Sequence, residues 1–314
     1  MTAKPTVLQL CPFSTYLETA LNGRLTVVRW FDMESAAQTV WLKENSPIVR
    51  AVVTGGHIGC DSELMTALPN LGLIAINGVG LDKVDLQLAR SRGVQVSTTP
   101  GVLTEDVADL AVGLVIGLLR GVAQADAYVR AGSWLAGDRP LGRKVSGRRF
   151  GILGLGQIGS AIASRLSAFG PVAYSEPTPK SVPYTYFAQL TALAAASDVL
   201  IVACPANAAT HHLVNAEVLR SLGPRGYLVN VARGSIVDEA ALMAALARGE
   251  LAGAALDVFE NEPYVSAALR SSERVLLTPH VASATVETRN AMADVVLRNL
   301  DALFAGDGSA AQDR

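Results

Sequence analysis

Gly151-Ile152-Leu153-Gly154-Leu155-Gly156-Gln157-Ile158-Gly159, continued by Ser160-Ala161-Ile162-Ala163-Ser164-Arg165-Leu166, is the stretch from which the rest of the chain is read. Phe150 to Leu153 has the unbroken apolar character of a short buried strand. Ile158, Ile162 and Leu166 recur at helical spacing, so the glycines stand at a strand-to-helix turn. In that context Gly154 permits a tight turn, Gly156 presents no Cβ to an incoming pyrophosphate, and Gly159 lets the helix lie close to the strand. The unpaired N–H groups and positive dipole end of the helix favour an anion without any basic side chain. Glu176 ends the next apolar run at about the 20-residue distance expected for an acid that holds an adenosine ribose. The motif therefore predicts a Rossmann dinucleotide-binding domain.

The chain has 314 residues, enough for two domains of ordinary size. Half the residues are hydrophobic, 17% are charged and the net charge is −2, which excludes extensive disorder and gives no basic surface for nucleic acid or an anionic membrane. The longest apolar run, Leu110 to Leu119, is broken by glycines and falls short of the roughly 20 residues a membrane span requires. It reads as a buried helix. The start, Met1-Thr2-Ala3-Lys4-Pro5, runs into a strand pattern without a signal-peptide core, and Cys11, Cys60 and Cys204 are scattered and odd in number. A cytoplasmic protein with neither disulfide framework nor metal site is expected.

From Thr6 onward short β-rich runs alternate with helical ones. Strands are expected at Val7–Leu10, Leu25–Trp30, Ala51–Thr54, Leu73–Asn77 and Val94–Thr98, with helices over Ser35–Glu44, Ser62–Leu68 and Val84–Arg92. Thr99-Pro100-Gly101 breaks the pattern, and one long helix is expected from about Glu105 to Val129. After the Gly/Arg/Pro-rich loop Ala131–Ser146, strand-like runs recur at Phe150, Val172, Val199–Cys204, Tyr227–Val231, Ala254–Val258 and Val275–Leu277, six strands that complete a dinucleotide-binding sheet. Thr285–Phe304 reads as an amphipathic helix with no sheet of its own, so it is expected to return to the first domain; Gly306–Arg314 reads as a frayed end. The fold class is α/β with two doubly wound parallel-sheet domains. The expected boundaries are 1–99 with 284–314 for one and 100–283 for the other.

Four further stretches carry the chemistry: Asn77-Gly78-Val79-Gly80-Leu81-Asp82, Asn230-Val231-Ala232-Arg233-Gly234, Leu256-Asp257-Val258-Phe259-Glu260-Asn261-Glu262-Pro263 and Thr278-Pro279-His280-Val281-Ala282-Ser283. In this order the chain resembles the D-isomer-specific 2-hydroxyacid dehydrogenases from about Ala51 to Phe304. Within them it is most similar to glyoxylate/hydroxypyruvate reductases, on the run His280-Val281-Ala282-Ser283-Ala284-Thr285-Val286-Glu287-Thr288-Arg289. The resemblance implies a flavodoxin-like substrate domain beside the Rossmann domain, and nicotinamide-dependent reduction of a small 2-keto acid to the D-2-hydroxy acid. Arg233, Glu262 and His280 would be the catalytic triad.

Physical chemistry supports each role. A 2-keto acid needs its carboxylate held, its carbonyl polarised and a proton delivered as hydride arrives. Arg233, just past an apolar strand, can grip a carboxylate with its planar fork. His280 lies where an open α/β sheet exposes reactive groups, and Glu262 bonded to the imidazole would fix its tautomer and keep a proton ready. Gly78, Val79 and Gly80 follow a strand, where backbone N–H groups can receive the substrate carboxylate; the resemblance places Gly55 and Gly56 nearby. Thr104 is a candidate helix cap. The resemblance further implies cofactor contacts at Thr104, Gly154, Gly156, Gln157, Ile158, Gly159, Ser175, Glu176, Cys204, Pro205, Thr210, Val231, Ala232, Arg233, Asp257, His280 and Ser283, with Asp109 near the nicotinamide end. His57, His211 and His212 read as solvated loop residues.

NAD is the expected cofactor and NADP is possible. Glu176 accepts ribose hydroxyls and repels a 2′-phosphate, whereas NADP-using relatives carry a polar residue followed by arginine where this chain has Glu176-Pro177-Thr178-Pro179-Lys180. Ser175, Thr178 and Lys180 can still cradle a phosphate if the turn points Glu176 away. NADH is expected to be preferred over NADPH. The resemblance also implies a homodimer, joined through the long helix and the loop after it. Two other readings stay open: a dinucleotide-sensing scaffold like the C-terminal-binding-protein corepressors, against which the short polar tail speaks, and a formate-type dehydrogenase, whose histidine pairs with an amide where this chain has Glu262.

Overall fold

The structure, a computed structural model, describes residues 4–306; the start before Lys4 and the expected frayed end beyond Gly306 lie outside the described residues. The chain divides into two compact units, one running to Leu103 and taken up again from Thr285, the other Thr104–Ala284.

The first unit runs β1 Thr6–Gln9, α1 Thr15–Arg24, β2 Thr26–Arg29, α2 Ser35–Asn45, β3 Val49–Gly55, α3 Ser62–Ala67, β4 Leu73–Asn77, α4 Leu86–Ser91 and β5 Gln95–Ser97. The strands form one sheet in the order β2-β1-β3-β4-β5, every neighbouring pair parallel. This is the flavodoxin-like arrangement. Alternate residues of each central strand feed opposite faces, so both must be covered and the strands read as continuous apolar runs. Leu8, Val52, Ile74 and Ile76 meet Leu64 and Met65 of α3 on one face, while Val7, Val53, Leu73 and Ala75 meet Leu17 and Leu21 of α1 on the other. Helix α1 is not among the sequence expectations, because only these two of its residues are buried and its pattern is weakly amphipathic.

The second unit runs α5 Thr104–Arg120, α6 Val122–Arg130, β6 Phe150–Leu153, α7 Gln157–Leu166, β7 Val172–Ser175, β8 Thr185–Tyr186, α8 Leu190–Ala196, β9 Val199–Val202, α9 Ala216–Leu222, β10 Tyr227–Asn230, α10 Glu239–Ala247, β11 Gly253–Leu256, α11 Ala267–Ser271 and β12 Val275–Leu277. The sheet is all parallel in the order β12-β11-β10-β9-β6-β7-β8. It has a seventh strand where six were expected, because β8 is a two-residue edge strand too short for periodicity to reveal. The chain then returns to the first unit as α12 Val286–Ala305, whose Val296, Leu297 and Leu300 pack with Val7 and Leu17.

The single helix expected over Glu105–Val129 is two. Gly121 adopts φ +60, and a Cβ there would lie 2.4 Å from the Arg139 guanidinium, so the left-handed glycine ends α5 and α6 starts in a new direction. Helix α5 begins at Thr104 itself, which puts Thr104 inside the first turn rather than at the cap. Gly117 lets α5 approach the sheet, since a Cβ would meet Leu276 Cδ2 at 3.0 Å; Gly113 faces open space. Among the described residues no helix is long and apolar enough to cross a membrane.

Candidate active site

The glycine turn has the geometry that its spacing implies. Gly154 sits at φ +89 between β6 and α7, where a Cβ would come within 2.6 Å of the Cys204 backbone; a Cβ on Gly159 would strike the Gly154 carbonyl oxygen at 2.0 Å. Any other residue at Gly159 would part the helix from the sheet, and one at Gly154 would push the turn away from the Cys204 backbone. A Cβ on Gly156, by contrast, would meet nothing within 4 Å, so the side that a pyrophosphate would approach is open. Gly156 stands at the N-cap of α7, with Gln157 and Ile158 in its first turn.

At the end of β7, Ser175 is buried and its carbonyl accepts the Gly154 N–H at 2.9 Å. Glu176 Oε1 lies 3.0 Å from Lys180 Nζ, and Glu176 Oε2 is buried without a hydrogen-bond partner. A buried, unpartnered carboxylate oxygen costs free energy, which a ribose hydroxyl would relieve; with the open Gly156 it makes the residues fit a dinucleotide. After β9, Cys204 and Pro205 lead into a turn closed by Thr210, whose hydroxyl donates to the Pro205 carbonyl at 2.9 Å and accepts the Asn207 N–H at 2.8 Å. Burial pushes the Cys204 thiol up to about 11, and those of Cys11 and Cys60 to about 11 and about 12, so none is a thiolate near neutral pH. All three are free, and among the described residues no cluster of His, Cys, Asp and Glu is arranged to hold a metal.

Arg233, Glu262 and His280 come together at the C-terminal ends of β10, β11 and β12. His280 Nδ1 lies 2.7 Å from Glu262 Oε2, and the other carboxylate oxygen accepts the Phe259 N–H at 3.0 Å. Burial raises the Glu262 carboxyl, but the His280 hydrogen bond and charge, the Phe259 N–H and the nearby Arg233 charge outweigh it and hold the group below its ordinary range. Val231 continues β10, its N–H 3.4 Å from the Val202 carbonyl. The Asn230 side chain brackets the turn that follows, accepting the Ala232 N–H and donating to the Arg233 carbonyl, both at 3.0 Å. Gly234 brings this loop against the one carrying Glu262, since a Cβ there would lie 1.8 Å from the Phe259 carbonyl carbon.

His280 is held in the left-handed region at φ +52, a conformation that persists only when its surroundings over-determine it. Asp257 does this. Its carboxylate, wholly buried, accepts the Thr278 hydroxyl at 2.6 Å and the N–H groups of Val281 and Ala282 at 2.9 and 3.0 Å, while its carbonyl accepts the His280 N–H at 2.8 Å. The residue expected to contact cofactor thus has its carboxylate committed to the loop bearing His280. Ser283 follows on that loop, partly exposed.

Two expectations change. His212 is not a solvated loop residue: its Nε2 lies 2.6 Å from Glu260 Oε1, its ring stacks on His211 at 4.0 Å, and its φ is +49. Glu260 is far away in sequence, so no local pattern announces the pair. Asp109 is joined to Arg165 at 2.6 Å, near the C-terminal end of α7, rather than at the triad. Asn230, Thr278 and Glu260 are the positioning groups that the sequence reading does not pick out; a polar residue ending an apolar strand is the signal that Asn230 offers.

In the first unit, Gly78, Val79 and Gly80 follow β4, and the Gly78 carbonyl accepts the Thr99 N–H at 2.9 Å. A Cβ on Gly56 would meet Gly80 N at 3.2 Å and one on Gly78 would meet Gly56 N at 3.3 Å, so this loop and the one starting at Gly55 touch backbone to backbone. The glycines serve close approach: neither Gly78 nor Gly80 is left-handed.

The family model for the D-isomer specific 2-hydroxyacid dehydrogenase NAD binding domain matches residues 112–282. The chain is 48% identical over 302 residues to the hydroxyphenylpyruvate reductase of Plectranthus scutellarioides, covering 96% of each chain. Its identity to a glyoxylate/hydroxypyruvate reductase A of Arabidopsis thaliana is also 48%, again over 96% of each. Among solved structures, the NADPH-dependent glyoxylate/hydroxypyruvate reductase of Sinorhizobium meliloti in complex with NADP and malonate superposes with a TM-score of 0.90 at 44% identity, over 96% of this chain and 94% of that one. A glycine turn shaped for a dinucleotide, an arginine, a glutamate and a histidine gathered at the ends of consecutive strands, and relatives matching nearly end to end lead to one conclusion: the chain belongs to the D-isomer specific 2-hydroxyacid dehydrogenase family of oxidoreductases.

Proposed function

We propose that the protein reduces a small 2-keto acid of the glyoxylate or hydroxypyruvate type to the D-2-hydroxy acid, with His280 as general acid. The observation that carries this reading is the 2.7 Å contact between His280 Nδ1 and Glu262, a carboxyl held ionised beside it. A dinucleotide whose pyrophosphate is held at the glycine turn would supply the hydride from its reduced nicotinamide. Arg233 takes the substrate carboxylate in its fork and stabilises charge growing on the carbonyl oxygen. Because Nδ1 is committed to Glu262, the proton delivered to that oxygen leaves from Nε2, and solvent restores it. Glu262 fixes the orientation of the ring and the nitrogen that faces away from it.

In the same reading the unit Thr104–Ala284 holds the dinucleotide, with Thr104, Gln157, Ile158, Ser175, Glu176, Cys204, Pro205, Thr210, Val231, Ala232 and Ser283 around it. The first unit is read by itself as carrying an anion nest, with backbone N–H groups at Gly55, Gly78, Val79 and Gly80 that suit a carboxylate. The names of the Arabidopsis and Sinorhizobium relatives support glyoxylate and hydroxypyruvate, that of the Plectranthus relative supports a 2-keto acid with a larger side chain, and the NAD of the family description together with the NADP of the Sinorhizobium structure supports a nicotinamide cofactor of either kind. Self-association belongs to this reading too, supported by Trp134, Leu135 and Leu141, which are 65%, 96% and 97% exposed.

The test is steady-state reduction of a keto-acid panel by purified protein with NADH and NADPH. Turnover of glyoxylate or hydroxypyruvate is expected. Tight dinucleotide binding with no turnover of any keto acid would instead favour a corepressor-like sensor.

A further inference from the structure

We propose that Lys180 lets this protein accept either nicotinamide cofactor, acting as the counter-ion of Glu176 and as the seat of a 2′-phosphate. The proposal rests on the dinucleotide reading of the glycine turn and concerns a group which that reading leaves without a role. Lys180 Nζ donates to the Leu155 carbonyl at 2.7 Å and lies 3.0 Å from Glu176 Oε1, so one ammonium ties the residue between Gly154 and Gly156 to the ribose acid. The turn that carries it is built in place. The buried Tyr174 hydroxyl accepts the Lys180 N–H at 2.7 Å and donates to the Lys180 carbonyl at 3.2 Å, and the Tyr186 hydroxyl donates to the Glu176 carbonyl at 3.2 Å. With both ends of Glu176-Pro177-Thr178-Pro179-Lys180 held by tyrosines of neighbouring strands, the ammonium is returned to the glycine turn.

A carboxylate standing alone at this position accepts ribose hydroxyls and repels a 2′-phosphate, which is how an acid selects NAD. Here the acid has its own cation. Two kinds of cofactor then find complementary groups on one pair of side chains. A ribose 2′-hydroxyl donates to the buried, unpartnered Glu176 Oε2 while Lys180 keeps Oε1. A 2′-phosphate accepts from the ammonium, which has three donors and is a point charge on a flexible stem, so it can turn from carboxylate to phosphate without moving the backbone. The NADH preference expected from sequence presumes an uncompensated Glu176. With the pair in place, NADH and NADPH are expected to be accepted within about tenfold of each other, since a partly exposed pair is screened by solvent.

The experiment measures calorimetric binding of ADP and of adenosine 2′,5′-bisphosphate to the full chain without keto acid, so keto-acid chemistry does not enter. For the unaltered protein the two affinities are expected to lie within about tenfold. Lys180→Met should lower the ratio of bisphosphate to ADP affinity by about fivefold or more, and Lys180→Arg should preserve or raise it. Using the ratio removes any general loosening of the glycine turn caused by losing the bond to Leu155. Glu176→Gln, which keeps the side-chain shape, should raise the ratio. A smaller fall in Lys180→Met, or an unaltered protein that favours ADP beyond tenfold, overturns the role of Lys180. Failure of both nucleotides to bind would overturn the dinucleotide reading along with it.

Discussion

His280 is a histidine whose backbone and ring are both spoken for, and that double restraint distinguishes it from a surface imidazole. His280→Ala is expected to lower turnover of keto acid by about 10² to 10⁴, the range for losing a general acid, while dinucleotide binding measured by fluorescence is retained. Unchanged turnover would mean that the proton comes from another group. Glu262 makes a different, thermodynamic statement. Its carboxyl is held below the ordinary value of 4.5, so it binds its proton less readily folded than unfolded. The stability it contributes is therefore complete above the unfolded value and lost as pH falls through the folded one. Denaturant unfolding of Glu262→Gln across pH should show its deficit relative to the parent chain constant near neutrality and shrinking in acid. A deficit that grows in acid would contradict the pairing. Arg233→Lys should be severe despite keeping the charge, because a point ammonium does not reproduce a planar fork; kcat/KM near that of the parent chain would remove Arg233 as the carboxylate anchor.

At the scale of elements, the three members of the triad sit on loops that close packing holds together. Asp257 is the post on which the loop after β12 hangs. Replacing it by Asn would turn an amide toward one of the N–H donors that the carboxylate now accepts, leaving a buried donor unsatisfied at a cost of about 1–3 kcal/mol. Asp257→Asn is thus expected to lower both the unfolding free energy and kcat for keto acid. If kcat alone fell, the residue would have a direct catalytic part. Gly234→Ala acts from the other side, because the added methyl would collide with the backbone at Phe259 and must separate the loop of Arg233 from that of Glu262. Asn230, bonded to both Ala232 and Arg233, belongs to the same scaffold.

On the scale of the whole molecule, the chain is two parallel-sheet units, each with its own core, and the second is interposed in the sequence of the first. Leu135 and Leu141 stand 96% and 97% exposed after α6, a placement that apolar side chains rarely keep in water. Replacing both by Asp should convert the proposed dimer to monomer in sedimentation velocity without disturbing either sheet. A parent chain that already sediments as a monomer would end that reading. Saturating dinucleotide, bound only by the folded state, should raise the unfolding free energy by about 2.7 kcal/mol at a hundredfold excess over Kd.

By itself the sequence determined what depends on short-range spacing. Glycines at a strand-to-helix turn and apolar runs alternating with helical ones point to two parallel sheets, because strand burial and turn geometry leave a periodic trace along the chain, while the family is legible only as a resemblance carried by the four motif stretches. What only the tertiary structure decided lies where groups distant in sequence meet. The packing of the Arg139 guanidinium against Gly121, the strand β8 beside its neighbour β7, and the His212–Glu260 pair on two separate loops are of this kind. Asp257 shows the difference within one residue: its motif marks it as a site position, yet the destination of its carboxylate follows from where Thr278, Val281 and Ala282 fold. Lys180 shows it for electrostatics. A lone acid at Glu176 is legible from its distance to the glycine turn, but the ammonium beside it is brought there by a turn that two tyrosines fold back. Hydrogen bonds and charges act through space, and their partners follow from the packing of the chain.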